Sequence, residues 1–175
     1  MAELKKCKVV LLGEPAVGKT ALIRKYVKNQ FDEKYISTIG TANSQKFLQF
    51  GDASLDMIIW DLMGQHITDA LLQNYLRGAQ GAIMVGDLTK PETFGKFSDY
   101  WGLKLNRVAG HIPVVLLGNK YDLVDANPCY KHLAEQKRPL EAQGFTVVNM
   151  YLTSAKTGKD VEKAFLALGK ALVGA

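Results

Sequence analysis

Short apolar runs alternate along this chain with longer segments in which apolar residues recur every three or four positions. The short runs predict buried β-strands, and the recurrent spacing predicts amphipathic helices. The predicted strands cover residues 5–12, 43–50, 54–60, 81–87, 113–118 and 146–152. The predicted helices cover residues 21–28, 91–109 and 128–143, the second half of 62–77, and a final segment around 161–172. Strands that alternate with helices favour an α/β fold, in which helices cover both faces of a mostly parallel sheet.

Three local signals refine this layout. The turn Gly51-Asp52-Ala53 joins two strands as a hairpin, which would place one antiparallel strand in the sheet. Residues 29–40 are polar and aperiodic, so we expect a loop there. Pro139 lies inside a predicted helix and should kink or split it. Because no repeat or linker interrupts the pattern, we expect one domain over residues 1–175.

Composition places the chain among ordinary globular proteins. Its residues are 47% apolar and 22% charged, and no apolar run approaches the roughly 18 residues of a membrane span. The lysines and arginines behind the net charge of +5 are dispersed, so no nucleic-acid partner is expected, although a weak attraction to acidic partners or anionic lipid stays open. The two cysteines form no framework, which favours a reducing, cytoplasmic location. A monomer is expected.

The chain ends give three expectations about membranes. The first residues lack the apolar core of a signal peptide, and Ala2 stands where myristoylation requires glycine. The final residues, Gly174 and Ala175, include no cysteine for a prenyl group. No lipid anchor is therefore expected in this chain, so peripheral membrane association would need a missing tail or a partner protein.

Residues 13–20 spell the phosphate-binding motif G-x-x-x-x-G-K-[ST] between the first strand and the first helix. Glycines allow the backbone to turn its N–H groups toward a triphosphate, and the following helix adds the positive end of its dipole. Lys19 would reach the β- and γ-phosphates, and the Thr20 hydroxyl would be a ligand of Mg²⁺. A glycine-bearing turn that matches by chance is the alternative, and the flanking strand and helix argue against it.

Four candidate motifs follow predicted strands, at residues 13–20, 61–64, 119–122 and 154–156. In an open α/β sheet, ligands bind beyond the carboxyl ends of the strands. We therefore expect these motifs to meet at one edge of the sheet. Their convergence supports a nucleotide site more strongly than any motif does alone.

Asn119-Lys120-Tyr121-Asp122 suggests which base is bound. A carboxylate at Asp122 could accept hydrogen bonds from N1–H and the N2 amine of guanine, whereas adenine offers no donor at these positions. Leaving a buried charged acceptor unsatisfied costs about 1–3 kcal/mol or more, so GTP is favoured over ATP. A polar turn at the end of a strand is the alternative.

Four further residues could act at the γ-phosphate. Asp61 supplies a carboxylate beside the metal, and the N–H of Gly64 could face the phosphate. Gln65 is placed to orient a water molecule, and Thr38 could be a second protein ligand of Mg²⁺. Taken alone, a threonine such as Thr38 is more often an ordinary loop residue.

Together these motifs resemble the Ras superfamily of small GTPases. Residues 35–40, Tyr-Ile-Ser-Thr-Ile-Gly, and residues 60–65, Trp-Asp-Leu-Met-Gly-Gln, are most similar to its Rab-like branch, and the missing terminal cysteine is also compatible with an archaeal-type Ras-like protein. The resemblance implies a P-loop NTPase three-layer sandwich with a six-stranded sheet and about five helices. It also implies bound GTP or GDP with Mg²⁺, and two switch regions that relax when the γ-phosphate is lost.

The resemblance also implies roles for individual residues. Phe31 would pack against guanine, and Ser154-Ala155-Lys156 would complete the base pocket. The nucleotide-binding residues would be Gly13, Ala16, Val17, Gly18, Lys19, Thr20, Ala21, Phe31, Tyr35, Thr38, Gly64, Asn119, Lys120, Asp122, Ser154, Ala155 and Lys156. The metal ligands would be Thr20, Thr38 and Asp61, and the catalytic residues Gln65, Lys19 and Thr38.

The chain departs from the family pattern at several positions. Pro15 and Ala16 stand where Ras has two glycines, and the proline ring projects where an arginine from an activating protein would enter. Met63 replaces the usual alanine, and residues 40–43 lack the Rab sequence Gly-Val-Asp-Phe. No catalytic arginine is evident within the chain, so slow GTP hydrolysis is expected.

The resemblance implies a switch that controls effector proteins in signalling or vesicle trafficking, with an exchange factor and an activating protein as further partners. Two alternatives stay open: a GTP-binding interaction module with little hydrolysis, and a P-loop ATPase or nucleotide kinase. His66, His111 and His132 are too scattered to predict a metal site, and Trp101 is interpreted as a core residue.

Overall fold

The structure, a computed structural model, describes residues 4–33, 41–62, 67–125 and 130–175. Its centre is a six-stranded sheet in the order β2-β3-β1-β4-β5-β6. The strands are β1 Leu4–Leu12, β2 Thr41–Phe50, β3 Ala53–Leu62, β4 Gly81–Asp87, β5 Pro113–Asn119 and β6 Thr146–Leu152. β2 is antiparallel to β3, and all other neighbours are parallel. The predicted hairpin and the mostly parallel sheet are confirmed.

Five helices cover the sheet in the described part of the chain. They are α1 Lys19–Lys28, α2 Asp69–Leu76, α3 over residues 92–109, α4 Lys131–Ala142 and α5 Val161–Val173. None of them is both long enough and apolar enough to cross a membrane.

Two apolar cores, one on each face of the sheet, hold the helices in place. The side chains of β1 alternate between them, so that Val9 and Leu11 enter one core while Val10 and Leu12 enter the other. α1 and α5 cover the first face, and α2, α3 and α4 cover the second. Trp101 is 6% exposed in the second core, which confirms its interpretation as a core residue. The predicted three-layer arrangement is therefore confirmed.

α3 has the predicted extent but not the predicted regularity. It is α-helical over Glu92–Lys96, π-helical over Phe97–Gly102 and α-helical again over Leu103–Ala109. The Ser98 N–H and hydroxyl donate to Gln136 Oε1 of α4, and Gln143 Nε2 donates to the Ser98 carbonyl at 3.0 Å. Side chains that insert into a helix ladder in this way favour a local change of period.

α4 continues through Pro139, so the predicted split of this helix is wrong. Leu133 and Leu140 lie seven residues apart on one face and are both fully buried, which anchors the helix on either side of the proline. Pro139 removes the one hydrogen bond that an N–H at this position would donate to the Glu135 carbonyl, a loss that this packing offsets. The predicted start of this helix at Asn127 and Pro128 lies outside the described residues.

Candidate functional site

The loop between β1 and α1 has a backbone that only glycine tolerates at two positions. Gly13 has φ 151°, and a Cβ there would lie 2.2 Å from the carbonyl oxygen of Val85. Gly18 has φ 106°, and its Cβ would lie 2.3 Å from Asn119 Nδ2. Ala16, at φ 62°, also adopts the left-handed conformation and is exposed. The two motif glycines are therefore required by close packing against the ends of β4 and β5.

Lys19 lies over this loop. Its ammonium donates to the carbonyl oxygens of Gly13 at 2.8 Å and Glu14 at 2.9 Å, and the residue is 5% exposed. Burial lowers the pKa of Lys19 to about 8, although the negative charges of Asp61 and Glu14 partly oppose that shift. The buried Lys19 ammonium therefore has carbonyl oxygens as its partners, and its charge suits an anionic ligand at this loop.

Thr20 and Asp61 place two oxygen ligands side by side. The Thr20 hydroxyl, in the first turn of α1, donates to Asp61 Oδ2 at 2.5 Å, and Asp61 is 5% exposed near the end of β3. A hydroxyl and a carboxylate are ligands that suit Mg²⁺, which also takes phosphate and water oxygens. Within the described ranges, no group of three His, Cys, Asp or Glu side chains could hold a metal ion. This donor set fits Mg²⁺ bound together with a nucleotide.

Asn119, at the end of β5, links the motif at residues 119–122 to the phosphate loop. It is 1% exposed, its Nδ2 donates to the Val17 carbonyl at 3.0 Å, and its Oδ1 accepts from the Thr153 hydroxyl at 3.1 Å. Gly18 leaves the space that Asn119 Nδ2 occupies. One buried side chain therefore fixes three loops relative to each other.

Asp122 is held by the loop that follows β6. Its Oδ1 accepts from the Ser154 hydroxyl at 2.6 Å, and the Ser154 oxygen accepts from the Thr157 N–H at 3.1 Å. Ser154 is fully buried, whereas Asp122 is exposed at the surface. The carboxylate is thus oriented while remaining accessible to a ligand, and a base is a ligand of suitable size and chemistry.

Lys120 and Lys156 extend the same edge. Lys120 has φ 68° and its ammonium lies 2.6 Å from Asp87 Oδ2, at the end of β4. Lys156 pairs with Glu33 at 3.1 Å, which connects the loop after β6 to the segment that follows α1. Phe31, in that segment, is 38% exposed.

The other site residues predicted from the sequence lie partly inside and partly outside the described part of the chain. Val17 and Ala155 are buried at 1% and 4% exposure, and Ala21 is half-buried in α1. Tyr35, Thr38, Gly64 and Gln65, as well as Met63, lie outside the described residues. The structure thus brings together the phosphate loop, Asp61, residues 119–122 and residues 154–156.

Sequence reasoning missed Asp87 and Thr153. Asp87 ends an otherwise apolar strand, and a charged residue at that point is a signal that could have been followed. Thr153 precedes the Ser154-Ala155-Lys156 motif and carries no signal of its own, since its role depends on the position of Asn119.

A comparison with protein families identifies the relationship. A Ras family model matches residues 8–173. The chain belongs to the Ras family. Among curated relatives of this Ras family member, Ras-related protein Rab-21 of Geodia cydonium is 37% identical over 171 residues, which cover 97% of this chain and 72% of the relative. Ras-related protein Rab-1 of Theileria annulata is 33% identical, over 94% of this chain and 73% of the relative. Rab-21 of Bos taurus is 36% identical, over 95% and 72%.

Family membership gives the activity. This Ras family protein is a small GTPase that binds GTP and GDP and hydrolyses GTP, acting as a molecular switch. The alternative of an ATPase or nucleotide kinase is therefore not supported. Ras family proteins work through effectors, exchange factors and activating proteins, and partners of these general kinds apply here.

Proposed function

We propose that this GTPase recognises guanine through Asp122 and binds the triphosphate with the loop at residues 13–20. The observation that carries the proposal is the connection between the two halves of the site through Asn119. Its side chain bonds the Val17 carbonyl of the phosphate loop, and it lies three residues before Asp122. A base at Asp122 and phosphates at the loop would therefore lie at one edge of the sheet.

At the base end, Asp122 supplies the selectivity. Ser154 donates to Oδ1, which leaves the carboxylate with further lone pairs for the N1–H and N2 amine of guanine. Adenine would leave those lone pairs unsatisfied. Ala155 and Lys156 form the adjoining wall, and Phe31 contributes an exposed ring that can pack against the base.

At the phosphate end, Lys19 and the N–H groups of Gly13, Ala16, Val17 and Gly18 stabilise negative charge on the phosphoryl oxygens, whereas Pro15 has no N–H to donate. Phosphoryl transfer needs an in-line water and charge stabilisation rather than covalent chemistry from the protein. Gln65 orients the water, and Gly64 and Tyr35 contact the nucleotide near the transferred group. These residues belong to the two segments that the resemblance to Ras proteins marks as switch regions.

Mg²⁺ fits the oxygen ligands of Thr20 and Asp61, with Thr38 as a further ligand. When bound, it would neutralise charge on the phosphate oxygens. The protein's part is to supply hard oxygen ligands next to the Lys19 ammonium, and the 2.5 Å contact between Thr20 and Asp61 keeps two of them together.

Hydrolysis without a partner should be slow. The loop carries Pro15 and Ala16, neither of which can supply the positive charge that an arginine provides in the transition state.

A GTP-binding module with little hydrolysis is the second candidate function. The exposed Ala16, in the left-handed conformation beside Pro15, favours it, because this surface differs from the paired glycines of Ras. Effectors would recognise the segments around Thr38 and Gln65.

The proposal is tested by single-turnover hydrolysis of bound GTP. We expect Gln65→Leu to lower the rate at least about tenfold while GTP affinity stays within about threefold, because the glutamine acts on water rather than on the nucleotide. Gln73→Leu, a matched change at an exposed position of α2, should leave both unchanged. An unchanged rate in Gln65→Leu would contradict the assigned role. Tight GTP binding without phosphate release in the parent protein would favour the interaction module.

A further inference from the structure

Asp87 is a buried carboxylate at the edge of the sheet where the nucleotide site lies. It is the last residue of β4, which is otherwise apolar, and it is 1% exposed. The parallel register pairs it with Asn119 at the end of β5. A carboxylate is rarely buried unless charged or hydrogen-bonding partners compensate for the lost hydration. The hydrogen-bond and ion-pair partners of Asp87 therefore indicate which neighbouring groups this carboxylate holds in place.

Both oxygens of this carboxylate are fixed. Oδ1 accepts from the Thr89 N–H at 2.9 Å and from the Thr89 hydroxyl at 2.6 Å, and the Asp87 N–H donates to Thr93 Oγ1 at 2.9 Å. Oδ2 lies 2.6 Å from the Lys120 ammonium. Thr89 lies in the connection between β4 and α3, and Thr93 lies in the first turn of α3, so Asp87 is anchored independently of the loop that carries Lys120.

Within the described residues, the ion pair with Asp87 is the contact that holds the long side chain of Lys120. Lys120 stands between Asn119 and Asp122 with φ 68°, a conformation that residues other than glycine rarely adopt, and its side chain is 28% exposed. A lysine side chain has several rotatable bonds, and a short ion pair with a rigid buried carboxylate removes most of that freedom. The ammonium retains two N–H donors beyond the one directed at Asp87.

We propose that Asp87 is a positioning residue for nucleotide binding, acting through Lys120. By holding the ammonium at the end of β4, Asp87 keeps the Lys120 stem extended along the base loop, where a bound guanine nucleotide would contact it. This inference rests on the proposed function, because it takes Asp122 and its neighbours as the base-binding loop. Loss of the pair should release nucleotide faster without altering the chemical step, which occurs at the phosphate end.

The test measures GDP dissociation and single-turnover GTP hydrolysis in Asp87→Asn. This substitution keeps the shape and an acceptor for Thr89 but removes the charge that attracts Lys120. We expect GDP release to be about tenfold faster, with hydrolysis of bound GTP within about twofold of the parent rate. Asp69→Asn is the matched control, because it removes the same charge from an exposed 2.8 Å pair with Lys104. An unchanged release rate in Asp87→Asn would overturn the proposal.

A double-mutant comparison separates positioning from a general loss of structure. If Asp87 acts through Lys120, then Asp87→Asn should not accelerate GDP release further when Lys120→Met is already present. The same tenfold acceleration in that background would overturn the proposal. If Asp87→Asn fails to fold, Thr89→Val is the second variant, because it removes one hydrogen bond to the Asp87 carboxylate from an exposed position. We expect GDP release from Thr89→Val to be about threefold faster than from the parent. Release at the parent rate would overturn the proposal.

The parent protein distinguishes the two levels of inference. A parent that binds no GDP would contradict the proposed function itself. A parent that binds GDP tightly, together with variants that release it at the parent rate, would remove only the positioning role of Asp87.

Discussion

Asn119→Ala offers the sharpest test of how the site is held together. The Asn119 side chain is 1% exposed and makes two buried hydrogen bonds, one to the Val17 carbonyl and one from the Thr153 hydroxyl. Truncation would leave both partners without their present contact. Each buried group left unsatisfied costs about 1–3 kcal/mol, so the free energy of unfolding should fall by about 2–6 kcal/mol.

The magnitude can be dissected with two further variants. Thr153→Val keeps the shape of the side chain but removes the donor to Asn119 Oδ1, so it should cost about 1–2 kcal/mol. Asn149→Ala removes an asparagine that is exposed on β6 and bonded to the Tyr151 hydroxyl, and the change should lie within about 0.5 kcal/mol of zero.

The assay is urea unfolding at fixed, saturating GDP and Mg²⁺, since bound nucleotide contributes to the measured stability. GDP dissociation is measured on the same samples and should be faster in Asn119→Ala, because the phosphate loop loses its connection to the base loop. A fall of less than about 0.5 kcal/mol in Asn119→Ala would refute the reasoning, since that is the range of an ordinary surface substitution.

Two further predictions concern the phosphate loop. Gly18→Ala should destabilise the protein and weaken GDP binding, because at φ 106° its Cβ would lie 2.3 Å from Asn119 Nδ2. Gly95→Ala, in α3, would place a Cβ that meets nothing within 4 Å, so it should stabilise the protein by about 0.5–1 kcal/mol. Unfolding midpoints that shift in the same direction in both variants would contradict this. Because burial lowers the pKa of Lys19 to about 8, the free site loses this charge as the pH rises through 8, whereas bound phosphates favour the protonated form. GDP affinity should therefore fall above pH 8, approaching tenfold per pH unit. Calorimetry in buffers of different ionisation enthalpy should detect proton uptake when GDP binds. A GDP affinity that stays constant between pH 8 and 9.5 would contradict the role of Lys19 at the phosphates.

Much of the fold follows from the sequence because each strand is a distinct apolar run. The limits of β4 and β6 agree with the pattern, since turn residues and polar residues bound both runs. The π-helical segment of α3 could not be predicted from its own residues. It depends on contacts from Gln136, in α4, and from Gln143, the residue that follows α4. Both side chains reach Ser98 only when the sheet has placed α3 and α4 side by side.

The candidate site is predictable to the extent that its residues belong to local motifs. The phosphate loop and residues 119–122 have a fixed spacing, so sequence reasoning found them. Asp87 and Thr153 act through tertiary contacts instead, and those contacts follow from the β4–β5 register and from the loop after β6. The persistence of α4 through Pro139 has the same origin, because packing of Leu133 and Leu140 outweighs the local preference of proline.

The most direct test of the central claim compares the affinities of the nucleotide-free protein for GDP, ADP and xanthosine diphosphate. The parent should prefer GDP over ADP by about 10⁴ or more, because Asp122 accepts from both guanine donors. Asp122→Asn replaces one of the two acceptors with a donor, so it should weaken GDP binding and improve binding of the xanthine nucleotide, which carries a carbonyl oxygen at C2. Equal affinity of the parent for GDP and ADP would contradict the account of base recognition.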